Sequence, residues 1–253
     1  MNNRVIGIMG AMHEEINGIL QLMENVKEVA HGMRSYYTGT INGIKAVVVF
    51  SRWGKVAAAI TVSSLIIEFK ITDLIFIGVA GAIHPELKIG DIVIGDKLIQ
   101  HDMDARPLMP RHEIPLLGVT WFESDAQHVA LADKAAELLK DSGIDHIIDQ
   151  QHISRFSLRS PAIFKGAIAS GDKFFSEQHD KDALLGALPE VLCVEMEGAA
   201  VAQACYEYGI PFVVSRIISD ESNEHSVIDF PDFILNISSK YGAEIIRNIF
   251  SLI

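Results

Sequence analysis

The chain is poor in the residues that mark several large classes of protein. Its 253 residues include only two cysteines, Cys193 and Cys205, too few for a disulfide framework. Cys193 falls in an apolar strand pattern and Cys205 in a helical one, which reads as buried thiols in a reducing compartment. No apolar run approaches the roughly 18 residues of a membrane span. Met1-Asn2-Asn3-Arg4 passes straight into Val5-Ile6-Gly7-Ile8-Met9, without the apolar region and cleavage site of a signal peptide. A cytoplasmic protein is therefore expected. Basic residues are outnumbered: 21 Lys and Arg against 33 Asp and Glu give a net charge of −12. That balance argues against a nucleic-acid surface and is accounted for by solubility alone. The ten histidines show no metal-ligand spacing, and neither H-E-x-x-H, a paired-cysteine motif nor a G-x-S-x-G elbow occurs. Gly7-Ile8-Met9-Gly10 follows a strand pattern but lacks the G-x-G-x-x-G spacing of a dinucleotide site.

What is present is an alternation of short apolar runs and helical patterns, long enough to enclose a sizeable core. Strands are predicted at residues 4–9, 74–77, 91–94, 163–169, 191–197 and 212–220. A hairpin is predicted over Tyr36–Phe50, turning at Asn42-Gly43, a strong hairpin signal. Helices are predicted from about Glu14 to Glu24, Lys55 to Phe69, Ala199 to Tyr208 and Pro231 to Phe250. Another runs from a Ser124 cap to Ser142-Gly143. Asp229 is the predicted cap of the last helix. Residues 100–123 read as irregular. The expected fold is one α/β domain over residues 1–253, a three-layer α/β/α sandwich around a mixed, mostly parallel central sheet.

Chemistry is suggested by acids at the ends of apolar runs. Val191-Leu192-Cys193-Val194-Glu195-Met196-Glu197 and Phe212-Val213-Val214-Ser215-Arg216-Ile217-Ile218-Ser219-Asp220 flank a helix stopped by Gly209 and Pro211. A strand–helix–strand unit with a right-handed crossover predicts parallel strands, with Glu197 and Asp220 on the ligand-binding rim. Glu195 and Glu197 would share one side of a continued strand. Such a pair is costly to bury unless satisfied, and a sugar diol suits one carboxylate. Asp220 follows an apolar approach that favours a protonated carboxyl, as a general acid requires. Glu14 and Glu15 sit in a helix first turn, where the macrodipole alone explains acids, yet they also lie just past a strand's carboxyl end. Gly78-Val79-Ala80-Gly81-Ala82 reads either as a tight strand exit or as close backbone approach to a ligand. Phe174 and Phe175 follow Ser170-Gly171-Asp172, where one ring is placed to stack on a flat ligand.

Taken in order, these motifs resemble the purine nucleoside phosphorylase superfamily, and within it the 5′-methylthioadenosine/S-adenosylhomocysteine nucleosidases. The matching segments are Gly7-x-x-Gly10-Ala11-Met12-x-Glu14-Glu15, Gly54-Lys55-Val56-Ala57-Ala58-Ala59, Gly78-x-Ala80-Gly81, and Leu87-Lys88-x-Gly90-Asp91-Ile92-Val93. They continue with His101-Asp102-x-Asp104, Ser170-Gly171-Asp172-x-Phe174, Val194-Glu195-Met196-Glu197, and Pro211 through Arg216-x-Ile218-Ser219-Asp220. The resemblance covers nearly the whole chain. It implies hydrolysis of the N-glycosidic bond of adenine nucleosides such as 5′-methylthioadenosine, S-adenosylhomocysteine and 5′-deoxyadenosine, with no cofactor and no metal.

It also implies roles. Asp220 resembles the acid that protonates adenine N7, supported by Ser219. Glu15 resembles the carboxylate that activates water, with Arg216 nearby. Glu197 resembles the ribose-diol acceptor beside Met196, and Phe174 the aromatic stacked on adenine. The backbone of Phe175 resembles the reader of the base edge, and Val79-Ala80 a wall near the water. Met12, Trp53 and Phe230 fall where the family builds its pocket for the 5′ substituent. Family members are homodimers in which the loop matching residues 102–117 reaches the neighbour's pocket. Four departures stand out: Val79 where many members carry serine, a bulky Trp53, Arg106 in a differing loop, and an insertion-like stretch at about 146–162. The rival readings are a phosphorylase, an aminodeoxyfutalosine hydrolase, or a non-catalytic storage or binding protein of the same fold. Acids at Glu14 and Glu15 oppose phosphate binding, and retention of Glu15, Glu197 and Asp220 opposes the non-catalytic reading.

Overall fold

A computed structural model describes residues 4–222 and 230–253. In chain order the elements are β1 Val5–Gly10, α1 His13–Leu20, β2 Glu24–His31, β3 Arg34–Ile41, β4 Ile44–Phe50, α2 Lys55–Ile67, β5 Asp73–Ala82, β6 Ile92–Gln100, β7 Phe122–Glu123, α3 Ala126–Ser142, α4 Gln150–Arg155, β8 Ile163–Ser170, α5 Gln178–Ala187, β9 Val191–Glu195, α6 Gly198–Tyr208, β10 Phe212–Asp220 and α7 Phe230–Phe233. A π-helical turn, Ile234–Ser238, then leads into α8 Ser239–Leu252.

The strands form one mixed sheet in the order β10-β6-β8-β9-β5-β1-β4-β3-β2. Because β10 also pairs with β5, five strands close on themselves, while β1, β4, β3 and β2 extend as an open wing. Closure removes the free edges that an open sheet would expose. Helices cover both faces. Ile16 and Ile19 of α1, Ala132 and Leu139 of α3, and Ile245 and Ile249 of α8 share one buried cluster with Ile8, Ile75 and Ile217. Ala58, Val62 and Leu65 of α2 and Val201 and Cys205 of α6 share another with Met9, Phe76 and Val214. Adjacent strand residues thus feed opposite clusters, the period-two signature of a sheet covered on both sides. This is the expected α/β sandwich.

Several local readings need correction. The helix after β1 stops at Leu20, and Glu24–His31 forms an edge strand exposed along its whole length. With neither face buried, that strand has no alternation to betray it. The Asn42-Gly43 turn is as expected, with both residues at positive φ (49° and 78°) and Ile41 opposite Ile44. The α3 cap is Asp125, whose side chain accepts from the Gln127 and His128 amides; Ser124 instead precedes it. The 146–162 stretch contains α4, capped by Asp149, and buries Ile148, Phe156 and Leu158 in the core. Asp229 lies outside the described residues.

The two strands flanking α6 are not parallel, contrary to the expected crossover. β10 is parallel to β5, β9 is antiparallel to β5, and so β9 and β10 run in opposite directions. A sheet that closes can bring in a strand from the far side, which the handedness of a single βαβ unit does not anticipate.

Candidate active site

A cavity with about 640 Å3 of non-atom space opens at the carboxyl ends of β1, β5 and β10, within the range of small-molecule sites. Its walls include all thirteen residues nominated above: Met12, Glu15, Trp53, Val79, Ala80, Phe174, Phe175, Met196, Glu197, Arg216, Ser219, Asp220 and Phe230.

Glu15 and Glu14 part company. Glu14 is exposed, whereas Glu15 is buried. One Glu15 oxygen accepts from the Ala11 and Met12 amides at 2.6 and 2.9 Å, the other from the Val79 amide at 3.1 Å. Burial pushes its carboxyl above the usual range, against the pull of Arg216 and the three amides. A carboxyl so poised suits a general base near neutral pH.

Arg216 is 1% exposed and pairs with Glu195, not Glu15, at 2.7 Å. Its guanidinium lies 4.0 Å from the centre of the Phe76 ring. Glu195 also accepts from the Ser170 hydroxyl and from the Glu197 and Gly198 amides, so it caps the α6 N-terminus while neutralising the arginine. Glu195 lines the cavity too but was absent from the nominated residues. The signal was available: an acid and a base, each inside an apolar run, have to find one another when both are buried.

Glu197 has left the strand and stands at the start of α6. Its Oε1 accepts from the Gly54 amide at 2.8 Å. Burial and the neighbouring Glu195 push its carboxyl up to about 8. Asp220 ends β10; its Oδ2 accepts from the Ser219 hydroxyl at 2.7 Å and its Oδ1 from the Ser222 amide at 2.8 Å.

The small residues of β5 have a use that neither sequence reading captured. The strand continues through Ala82 rather than ending at Gly78. A Cβ on Gly78 would sit 2.8 Å from Glu15 Oε1, and one on Gly81 would lie 3.0 Å from Asp220 Oδ1 and overlap Ser222 Oγ. The two glycines therefore make room for two carboxylates, spaced along the strand by three residues or roughly 10 Å.

Aromatic and apolar groups line the mouth. Phe174 is 40% exposed and meets Phe230 edge to face at 5.8 Å. Phe175 is buried against the His101 ring at 5.4 Å. Trp53 is 62% exposed and with Met12 also borders a neighbouring groove lined by His13, Glu14, Phe50 and Arg52. Arg106, expected near the 5′ side, is bonded to Asp104 of its own loop at 2.5 and 2.9 Å. Asp91 of the Gly90-Asp91 motif lies away from the cavity: it is fully buried and accepts from the Lys88 and Ala162 amides and from Arg159, tying β6 to the segment before β8.

A family model described as the phosphorylase superfamily matches residues 5–251. The chain belongs to the phosphorylase superfamily. Among its relatives in this superfamily, a 5′-methylthioadenosine/S-adenosylhomocysteine nucleosidase of Geobacillus thermodenitrificans is 32% identical over 97% of this chain and 96% of that protein. An aminodeoxyfutalosine nucleosidase of Helicobacter pylori is 34% identical over 90% and 91%. Among solved structures, the Neisseria meningitidis 5′-methylthioadenosine/S-adenosylhomocysteine nucleosidase in complex with methylthio-immucillin-A superimposes with a TM-score of 0.86, at 31% identity and 99% and 100% coverage.

Proposed function

We propose that this superfamily member is an N-glycosidic hydrolase that releases adenine from 5′-substituted adenosines, 5′-methylthioadenosine and S-adenosylhomocysteine first among them. One observation carries the proposal. Glu15, Glu197 and Asp220 come from three separate parts of the chain and line one cavity.

In this reading Asp220 donates a proton to adenine N7, because adenine leaves poorly as an anion. Ser219 Oγ and the Ser222 amide fix the carboxyl. Phe174 stacks on the base, and the backbone at Phe175 meets its edge. Glu197 keeps one oxygen on the Gly54 amide and offers the other to the ribose hydroxyls, beside Met196. Glu15 orients water for attack on the carbon that adenine vacates, with the Val79-Ala80 backbone behind it. With Glu15 against Gly78 and Asp220 against Gly81, base and acid stand at different points along β5, an arrangement that suits inversion, with water attacking from the side opposite the leaving base. Buried carboxylates stabilise the oxocarbenium-like ribosyl group.

Phosphorolysis is disfavoured by the cations. Among the described residues, the Lys and Arg side chains lining the cavity are Arg216, paired with Glu195, and Lys173, paired with Asp180. Neither is free to cradle a phosphate, and Glu15 occupies the wall.

Residues 1–253 are taken to act as one domain, in the cytoplasm, as a homodimer. No helix among the described residues is long and apolar enough to cross a membrane. In support of the dimer, Val56 and Ile60 on α2 are 71% and 51% exposed, and Leu116 in the 102–117 loop is 97% exposed. Sedimentation at micromolar concentration tests this part; a monomer refutes it.

The reaction is tested with a panel: 5′-methylthioadenosine, S-adenosylhomocysteine, 5′-deoxyadenosine and aminodeoxyfutalosine, each with and without phosphate. Free adenine and free pentose at a phosphate-independent rate are expected. A sugar 1-phosphate overturns hydrolysis, and turnover of aminodeoxyfutalosine alone reassigns the substrate.

A further inference from the structure

The N-terminus of α2 lacks a capping side chain of its own: Gly54 stands at the cap position with φ of 93° and no side-chain cap bond. Its first amides are satisfied from elsewhere in the chain. The Gly54 amide donates to Glu197 Oε1 at 2.8 Å, and the next amide, Lys55, donates to Asp172 Oδ1 at 2.8 Å. Two consecutive amides thus hold two carboxylates from different elements. One is the group placed on the ribose hydroxyls; the other heads the segment 172–175 that carries Phe174 and Phe175.

The Asp172 end is secured further. Its own amide donates to Asp102 Oδ2 at 3.0 Å. Asp102 Oδ1 takes the Lys55 ammonium at 2.6 Å, which also donates to Gln100 Oε1 at 3.2 Å. Asp172, Lys55 and Asp102 close a ring of hydrogen bonds around the start of α2. A Cβ on Gly54 would sit 3.1 Å from Asp172 Oδ1, so the left-handed glycine also allows the close approach.

We propose that Asp172, Lys55 and Asp102 form a clamp that sets the base-holding segment at a fixed distance from the ribose carboxylate Glu197. These are positioning residues, since none is needed to touch the substrate. The proposal rests on the nucleoside reading of the cavity. A nucleoside must satisfy base and ribose sites at once, whereas free adenine uses only the first. Misplacing one site by about 1 Å is enough to cost a large factor in the joint fit. The Lys55–Asp102 pair keeps partial contact with solvent, its side chains 17% and 33% exposed, and such screened pairs add little to stability, so the clamp should be visible in binding more than in folding.

The test compares Asp172→Ala, Asp172→Asn and Asp102→Ala with the parent, whose adenine release from 5′-methylthioadenosine is established first, so that failure of the nucleoside reading is seen separately. KM, kcat, the dissociation constant of free adenine and the thermal midpoint are measured for each. The expectation for Asp172→Ala and Asp102→Ala is a tenfold or greater rise in KM, a kcat within threefold, adenine binding within threefold and a small shift in midpoint. Asp172→Asn keeps an oxygen acceptor for the Lys55 amide and should recover most of the loss. Equal weakening of adenine and nucleoside overturns the clamp, as does a KM within threefold in both alanine variants. A fall in midpoint with unchanged KM assigns the ring to folding alone and overturns it too.

Discussion

Replacing Asp220 by Asn removes a proton donor while leaving its surroundings nearly intact, which makes it the sharpest probe of the proposed chemistry. The side-chain oxygen of Asn can still accept from the Ser222 amide, as Oδ1 does at 2.8 Å. Its amide nitrogen would face Ser219 Oγ, which becomes an acceptor and can turn its own hydrogen toward the Ala80 carbonyl, 3.4 Å away. The structural cost is then that of one rearranged hydrogen bond, about 1 kcal/mol, or roughly 2–4 °C in the thermal midpoint. The chemical cost is larger. General acid catalysis typically contributes about 10²–10⁴-fold, equivalent to about 3–5 kcal/mol of barrier. Adenine release from 5′-methylthioadenosine, quantified by chromatography, should fall by at least 100-fold in kcat/KM. A p-nitrophenyl riboside, whose leaving group departs without protonation, should lose less than tenfold. A cooperative melt with adenine release within tenfold of the parent would refute the assignment, and equal losses on both substrates would show that Asp220 does something other than protonate the base.

Glu15→Gln should abolish turnover by 100-fold or more while a transition-state mimic still binds; since one acceptor facing the Ala11, Met12 or Val79 amides becomes a donor, a loss of about 1–3 kcal/mol in stability accompanies it. Retained turnover with lost binding would make Glu15 a ligand contact instead. Glu195→Ala leaves the buried Arg216 guanidinium unpaired and should cost roughly 3–5 kcal/mol by chemical denaturation; a loss under about 1 kcal/mol would show that the pair is replaced by solvent. His128 bridges Asp73 at 2.8 Å and Asp125 at 2.6 Å. Burial lowers its proton affinity, but the hydrogen bonds to the two aspartates win and hold it above the usual histidine range. A group raised in the folded state stabilises fully below its ordinary value, near 6.5, and loses that contribution as pH climbs through the folded value. The stability difference between parent and His128→Gln should therefore be greatest below pH about 6.5 and shrink above it; a gap that widens as pH rises contradicts the bridge.

Much of this site was legible because its acids interrupt apolar runs. Glu197 and Asp220 follow stretches too apolar to end at random in a carboxylate, and Glu15 follows β1 immediately. What the sequence hid was relational. Glu195 looked like a companion of Glu197 on one strand face, yet the strand stops at Glu195, and the two acids take opposite duties within three residues. Arg216 was expected near Glu15, and its charge does act on that carboxyl; what went unread is its direct partner, Glu195. Helix α5 and strand β2 were missed because neither buries an apolar stripe: Leu184 is the one buried residue of α5, and β2 has none. Local periodicity records burial, so elements at the periphery leave little trace.

The convergence of three acids depends on how β5 is flanked. On one side β10 runs parallel to it, with Arg216 opposite Gly78 and Asp220 opposite Gly81. On the other side β9 runs antiparallel, and only the tips pair, Gly81 with Val194 and Ala82 with Cys193. Chain leaving β9 therefore travels back along β5 toward Gly78 rather than away from the rim. That reversal carries Glu195 to Arg216 and sets Glu197 at the start of α6, inside the crevice. A parallel β9 would have carried Glu197 outward, past the end of β5 and away from Glu15. The acid that reads as a second strand-end carboxylate is thus in the cavity because its strand enters from the opposite direction, and the closed ring of β5, β10, β6, β8 and β9 is what permits that entry.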